Sequence, residues 1–201
     1  MNQIPFLSLL GLILCGAGGM VLNVVFRPAL KLAGLFLLYL GGSVMLLSIC
    51  SFQMCAALVV CGIGVVVLLG SALRERPVKR RTYEDNREWF FFRLLLSLML
   101  GVVAYTASDL MRFWIPIRST VLFISIWIGL MGLFGLSLDD EMPYRCIYLQ
   151  SLCIVFTVCY IYMENSVLIL AFLSVINLLM AFGGTVLSMG GNEGQSKEQA
   201  V

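Results

Sequence analysis

Apolar runs of about 20 residues, repeated along almost the whole chain, constrain the fold more than any other feature. A helix of about 20 residues crosses the roughly 30 Å hydrocarbon core of a bilayer. The 201 residues are 61% hydrophobic and 12% charged, whereas soluble domains carry about 25% charged residues. We therefore predict an all-α polytopic membrane protein with about seven transmembrane helices. The predicted spans are 6–26, 29–50, 54–73, 89–110, 119–138, 144–163 and 166–189.

One long polar segment, the basic loop at 74–88, divides these spans into two groups. It separates a three-span unit at 1–73 from a four-span unit at 89–189. The polar tail at 190–201 is rich in Gly and Gln, and we expect it to be disordered.

The positive charges predict the orientation of both units. With alternating spans, all but two of the 13 Lys and Arg residues fall on the side of the basic loop. Cytoplasmic loops carry such an excess, so we expect the N-terminus outside and the C-terminus in the cytoplasm of a bacterial-type plasma membrane. Alternatively, the loop contacts anionic lipids or docks a cytoplasmic partner. Its orientation-determining residues are Arg74, Arg76, Lys79, Arg80, Arg81 and Arg87.

The chain contains no histidine, which excludes Ser-His-Asp triads, bis-histidine haem ligation and His-ligated metal centres. None of its seven cysteines stands in a C-x-x-C pair. Within apolar helices such cysteines are typical of small packing residues, and a redox or metal role is the alternative. We therefore expect no cofactor, no metal, no nucleic-acid partner and no catalytic residue in this chain.

Few polar residues fall inside the predicted spans. Every Asp, Glu, Lys and Arg lies in a loop or within about one turn of a span end, and Arg93 is expected to extend towards the interface. Gln150 and Asn177 lie deeper, where they either line a water path or form hydrogen bonds between helices. The acidic run 139–141 is expected to be a solvated turn, with a cation site as the alternative.

Glycines recur at helical spacing, and Gly62 and Gly64 are the pair in the third span. Small residues of this kind allow close helix packing, whereas a gating hinge is the alternative. The run 52–68 around them resembles the third span of the J/chain 6 subunit of NADH:quinone oxidoreductase. Arg27-Pro28 is similar to that family's turn after the first span. The resemblance covers spans one to four.

Spans five to seven are more faintly similar to K/4L-type subunits and their relatives in Mrp antiporters and group 4 hydrogenases, through the run 128–135. Two departures stand out. The membrane glutamate of that family is absent near Leu149-Gln150, and Cys61 replaces the J family's tyrosine. The resemblance implies membership of such a complex, and a proton-relay role does not carry over.

These observations favour a non-catalytic membrane subunit of a larger, ion-translocating respiratory or antiporter-type complex, packed against channel subunits. A small stand-alone transporter or channel is the first alternative, and its site would surround Asn177 and Gln150. A membrane assembly or scaffold protein recruited through the basic loop is the second.

Overall fold

Helices account for nearly all of the described chain. The computed structural model describes residues 4–75, 87–115, 117–139, 142–164 and 166–198, and no strand occurs among them. Each of the seven helices contains a stretch long and apolar enough to cross a membrane. For the described residues this confirms the all-α prediction, with seven helices able to span a membrane, and it is consistent with an integral membrane protein. The helices are α1 (Ile4–Val24), α2 (Pro28–Leu46), α3 (Phe52–Glu75), α4 (Arg87–Met111), α5 (Ser119–Leu138), α6 (Met142–Met163) and α7 (Val167–Glu198).

The turn between α2 and α3 is longer than predicted. Helix α2 begins at Pro28, whose fixed φ suits the first helical position. It ends at Leu46, although the apolar run predicted a span to residue 50. Residues 47–51 form the connection, and the Cys50 N–H donates to the Leu46 carbonyl at 2.8 Å. Apolar composition alone does not mark this turn.

Helices α1 and α2 form the closest pair in the bundle, because glycines face each other across it. A Cβ placed on Gly18 would lie 2.7 Å from the Gly34 carbonyl oxygen, and a Cβ on Gly34 would lie 2.9 Å from that of Gly18. Neither side can yield, since both contacts are with backbone. The small residues therefore set the separation of the first two helices.

Helix α2 lies at the centre of the bundle, where it packs against α1, α3 and α6. Helix α4 packs on α5 and α1 at one edge, and α7 packs on α3 and α6 at another. The outward faces of these edge helices are apolar, as lipid contact requires. They include Leu95, Val102, Phe172 and Leu179, all of which are exposed.

Helix α7 extends beyond the predicted last span. Its backbone is helical to Glu198, and the disorder expected for the polar tail at 190–201 stays a prediction. Adding residues to an existing helix avoids the cost of nucleation, and polar residues such as Gln, Lys and Glu have good helix propensity. Polar composition alone therefore did not reveal this extension.

Candidate functional site

Asn177 and Gln150, the two polar residues predicted inside the spans, lie together in one buried group. The Gln150 side-chain nitrogen donates to the Asn177 backbone oxygen at 2.9 Å. The Tyr39 hydroxyl of α2 lies 3.2 Å from Gln150 Oε1 and 3.1 Å from Asn177 Oδ1. Asn177 Nδ2 in turn donates to Thr157 Oγ1 at 3.1 Å. These four residues, Tyr39, Gln150, Thr157 and Asn177, form the mid-depth network, which joins α2, α6 and α7.

The side chains of the mid-depth network form hydrogen bonds with one another and with nearby backbone groups. Asn177 Nδ2 also donates to the Leu173 carbonyl at 2.8 Å, and the Thr157 hydroxyl donates to the Cys153 carbonyl at 2.8 Å. The Tyr39 hydroxyl has one hydrogen for two acceptor oxygens, so it can serve only one of them at a time. All the groups are amides or hydroxyls. The arrangement holds three helices together by hydrogen bonds between them.

Tyr39 and Thr157 are the two members of this network that the sequence analysis did not indicate, and Tyr39 is the one on α2. It is fully buried and fits against a gap on α3, where a Cβ on Gly62 would lie 2.6 Å from the Tyr39 Cβ and Cγ. Gly64 faces α7, and a Cβ there would lie 3.0 Å from Leu178 Cδ2. Helix α3 is continuous through both glycines. The structure thus places Gly62 and Gly64 in close helix contacts, and gating by them stays a prediction.

A second polar group lies where five helix ends meet. Asp139, just past α5, accepts hydrogen bonds from Lys31 Nζ of α2 at 2.6 Å and from Arg93 Nη2 of α4 at 2.9 Å. The Tyr148 hydroxyl of α6 lies 2.8 Å from Asp139 Oδ2 and 3.2 Å from the Leu22 carbonyl oxygen of α1. Lys31 also donates to the Tyr148 hydroxyl at 2.7 Å. We call Lys31, Arg93, Asp139 and Tyr148 the ionic clamp.

Aromatic rings and a backbone carbonyl also contact the two cations of the ionic clamp. Lys31 Nζ lies 4.4 Å from the centre of the Tyr144 ring, and the Arg93 guanidinium lies 4.6 Å from the centre of the Phe26 ring. Arg93 Nη1 also donates to the Asn23 carbonyl oxygen at 3.1 Å. Cation–π contacts of this kind strengthen when the pair is removed from water. The clamp is thus built into the packing of α1 and α6.

The electrostatics of the ionic clamp favour a charged Asp139. Burial alone would raise its pKa, but the positive charge of Lys31 and the hydrogen bonds from Arg93 and Lys31 outweigh burial and lower the pKa from 3.8 to about 2. One carboxylate is shared by two cations, so Arg93 does not form the bidentate fork that arginine makes with an unshared carboxylate. Consistently, Arg93 Nε is buried and has no hydrogen-bond partner.

The structure corrects our expectations for Asp139 and Arg93. Asp139 is not in a solvated turn, since its side chain is 15% exposed and bridges two cations. Arg93 is 3% exposed and does not extend towards water. The fold brings both cations to one carboxylate, and their attraction and hydrogen bonds offset part of the cost of removing these charges from water. In the sequence, the residue that could have indicated a buried ion pair is Lys31. It lies one turn inside α2 and is 1% exposed.

Two of the predicted orientation determinants lie among the residues whose backbone the structure describes. Arg74 is exposed in the last turn of α3, and Arg87 begins the backbone of α4. The remaining four, Arg76, Lys79, Arg80 and Arg81, lie outside the described residues.

Comparisons with protein-family models, with curated proteins and with solved structures give no match to this chain. Among the described residues, no group of three or more Cys, Asp or Glu side chains could hold a metal ion. Chemically, the two polar groups link helices: the mid-depth network through neutral hydrogen bonds, and the ionic clamp through charge.

Proposed function

We propose that this chain is a non-catalytic integral membrane subunit of a larger, ion-translocating respiratory or antiporter-type complex, in which it packs against channel subunits. Its N-terminus faces the outside and its C-terminus the cytoplasm, in a bacterial-type plasma membrane. Its partners are other membrane subunits and the lipid bilayer.

One observation carries the choice of a structural role over a transport path within this chain. The polar side-chain atoms of Gln150 and Asn177 form hydrogen bonds with Tyr39, Thr157 and backbone groups. A transport path needs polar atoms that face water and can be rearranged at low cost. Side chains that bond to one another across helices instead fix the relative positions of those helices.

The type of complex comes from the sequence resemblance, and the packing is compatible with it. The J-like run 52–68 lies in α3, which has α2 on one side through Gly62 and α7 on another through Gly64. The edge helices α4 and α7 keep wide apolar faces, which either lipid or a neighbouring subunit can cover. Gly129 and Gly183 have no atom within 4 Å of an added Cβ, so a partner helix could approach closely there.

The test is purification from membranes at native abundance with a tag on the chromosomal copy. We expect the chain to migrate in native gels as part of an assembly with several other membrane proteins. Gly129→Leu and Gly183→Leu should weaken this association without changing the thermal stability of the isolated chain. Leu133→Ala, at an exposed site on α5, is the control that adds no bulk. Migration as a lone monomer or homo-oligomer would contradict the proposal.

One observation favours a stand-alone transporter or channel as the second candidate. The Tyr39 hydroxyl faces two acceptor oxygens with one hydrogen, so the mid-depth network has two bonding arrangements. Flux in proteoliposomes containing only this chain would support this function. Flux that persists in Gln150→Leu and Asn177→Leu variants would rule out the network as the path.

A further inference from the structure

A third polar group lies between α1 and α4 and shares Arg93 with the ionic clamp. The Asn23 side-chain nitrogen donates to the Ser97 hydroxyl oxygen at 2.7 Å, and that hydroxyl donates to the Arg93 carbonyl oxygen at 2.7 Å. Arg93 Nη1 in turn donates to the Asn23 carbonyl oxygen at 3.1 Å. Three hydrogen bonds thus join Asn23, Ser97 and Arg93 in a closed circuit, which we call the α1–α4 ring.

The α1–α4 ring contains two buried polar atoms whose hydrogen-bonding capacity is unused. Among the described residues, three buried side-chain atoms have no hydrogen-bond partner, and two of them, Asn23 Oδ1 and Arg93 Nε, belong to this ring. Asn23 is 0% exposed and Arg93 is 3% exposed. Such an atom costs about 1–3 kcal/mol when it stays unpaired in the interior. In native proteins, buried groups of this kind are commonly satisfied by bound water.

The hydrogen bonds of the ring define what the two atoms require. The Ser97 hydroxyl has one hydrogen and gives it to the Arg93 carbonyl, so its oxygen accepts from the amide nitrogen of Asn23. Asn23 Oδ1 is therefore the atom left as an acceptor. Arg93 Nε is a donor only, because a guanidinium keeps its proton in proteins. The ligand of this site must accept one hydrogen bond and donate another.

The surrounding charges exclude an ion at this site. A cation would be repelled by Arg93 and by Lys31, which shares the Asp139 carboxylate with Arg93. An anion could accept from Arg93 Nε, but it would be repelled by Asp139 and could give no hydrogen to Asn23 Oδ1. Water donates and accepts, and it is small enough to lie among residues that are almost fully buried. Asn23 also lies in the last turn of α1, so water at the end of the span is near.

We infer that one water molecule is bound at the α1–α4 ring, where it accepts a hydrogen bond from Arg93 Nε and donates one to Asn23 Oδ1. Every nitrogen of the guanidinium then has a partner: Nη1 the Asn23 carbonyl, Nη2 the Asp139 carboxylate and Nε the water. The water adds a link between α1 and α4 and completes the solvation of one cation of the ionic clamp. It depends neither on the orientation of the chain nor on the proposed function.

The experiment is a structure of the full chain in lipid nanodiscs, at a resolution that shows ordered water elsewhere in the bundle. We expect a water peak within about 3.2 Å of both Arg93 Nε and Asn23 Oδ1. In Asn23→Leu, which has a similar size but no acceptor, the peak should be lost. Ser108→Ala is the matched control, because it removes a buried hydroxyl of α4 that bonds to Tyr105 of the same helix. The peak should remain in this variant.

A second measurement on the unaltered chain keeps the inference testable if Asn23→Leu does not fold. With ¹⁵N-labelled arginine, the Arg93 Nε–H should show a nuclear Overhauser effect to a long-lived water. An observed Arg93 Nε–H signal without this effect overturns the inference, and so does a map without the peak. A direct bond between Arg93 Nε and Asn23 Oδ1, or a peak that persists in Asn23→Leu, overturns it as well.

Discussion

At the residue scale, Asp139 is the carboxylate that both cations of the ionic clamp share. Its two oxygens are divided between Lys31 and Arg93, and Tyr148 adds a third contact. A buried ion pair gains little over apolar residues, but removal of one member is costly because its partners stay buried. Loss of the Asp139 carboxylate should therefore weaken contacts among four helices at once, since Asp139 lies just past α5 and contacts α2, α4 and α6.

The first prediction concerns the loss of this carboxylate. Asp139→Asn keeps the size of the side chain but leaves Lys31 and Arg93 without the charge that they share, so we expect a loss of about 3–5 kcal/mol in the free energy of unfolding. Unfolding of the detergent-solubilised chain by SDS or heat measures it. Asp109→Asn, at an exposed site on α4, is the control and should change little. Equal effects of the two changes would contradict the assigned role.

The second prediction is a pH dependence with a defined sign. The pKa of Asp139 is lowered in the folded chain from 3.8 to about 2, so the unfolded chain binds more protons in this range. The stabilisation is fully present above pH 4 and is lost as the pH falls towards 2. Other carboxyl groups also titrate there, so the relevant quantity is the melting temperature of the protein minus that of Asp139→Asn. That difference should shrink between pH 4 and pH 2, and a constant difference would contradict the prediction.

At the element scale, helix contacts are decided by small residues and by a few hydrogen bonds between helices. Lipid is as apolar as the helix surfaces, so helices associate through close packing and polar contacts. Gly18 and Gly34 let α1 meet α2, while Gly62 makes room for Tyr39 between α2 and α3. The mid-depth network then connects α7 to α2 and α6.

The third prediction compares two glycines that look alike in the sequence. Gly18→Val places a side chain against the backbone of α2, so we expect a loss of about 1–3 kcal/mol or more in stability. Gly129→Val meets no atom within 4 Å, so its effect should stay within about 0.5 kcal/mol. Thermal unfolding of both variants in the same detergent measures the contrast. Similar losses in both would show that the α1–α2 contact is looser than described.

The fourth prediction addresses the mid-depth network by a double-mutant cycle. Tyr39→Phe removes the hydroxyl, and Asn177→Leu removes one of its acceptors. The coupling energy between the two changes should lie near about 0.6 kcal/mol and below about 1.7 kcal/mol, the mean and the maximum found for hydrogen bonds between membrane helices. Leu178→Ala, the neighbour of Asn177 that faces Gly64, replaces Asn177→Leu in the control cycle. No coupling between Tyr39 and Asn177 would indicate that the hydroxyl bonds to Gln150 alone.

At the scale of the whole molecule, the ionic clamp gathers the ends that alternating spans would place on one side. It joins the last turn of α1, the first turn of α2, the second turns of α4 and α6, and the residue that follows α5. Seven antiparallel spans require this grouping. The fold therefore agrees with the alternation on which the charge count depends, while the side of the membrane comes from the charge count alone.

The fifth prediction tests that side. A reporter domain that is active only in the cytoplasm should be active when it is inserted in the basic loop after Lys79. A reporter domain that is active only outside should be active when it is inserted at Ile49, in the α2–α3 turn. Charge reversal of Lys79, Arg80 and Arg81 should reduce the fraction of correctly oriented chains. The opposite pattern in the unaltered chain would invert the proposed orientation.

The sequence by itself determined the class of fold and the number of spans. Every backbone N–H and C=O group in lipid must be hydrogen-bonded, and a helix of about 20 apolar residues achieves this within one segment as it crosses the bilayer. That requirement is local, so composition reveals it. It also marked Gln150 and Asn177 as notable, because amides are rare in such segments. It could not say that they bond to each other through Tyr39.

Only the tertiary structure decided which distant groups meet. Lys31 and Asp139 are 108 positions apart, and their contact depends on α1 and α6, which pack against both α2 and α5. The helices are apolar on nearly all sides, so the sequence pattern does not mark which face turns inward. The positions of small residues and of single polar groups fix that choice through many close contacts at once. These contacts bring three charged residues near span ends, Lys31, Arg93 and Asp139, together in the buried ionic clamp.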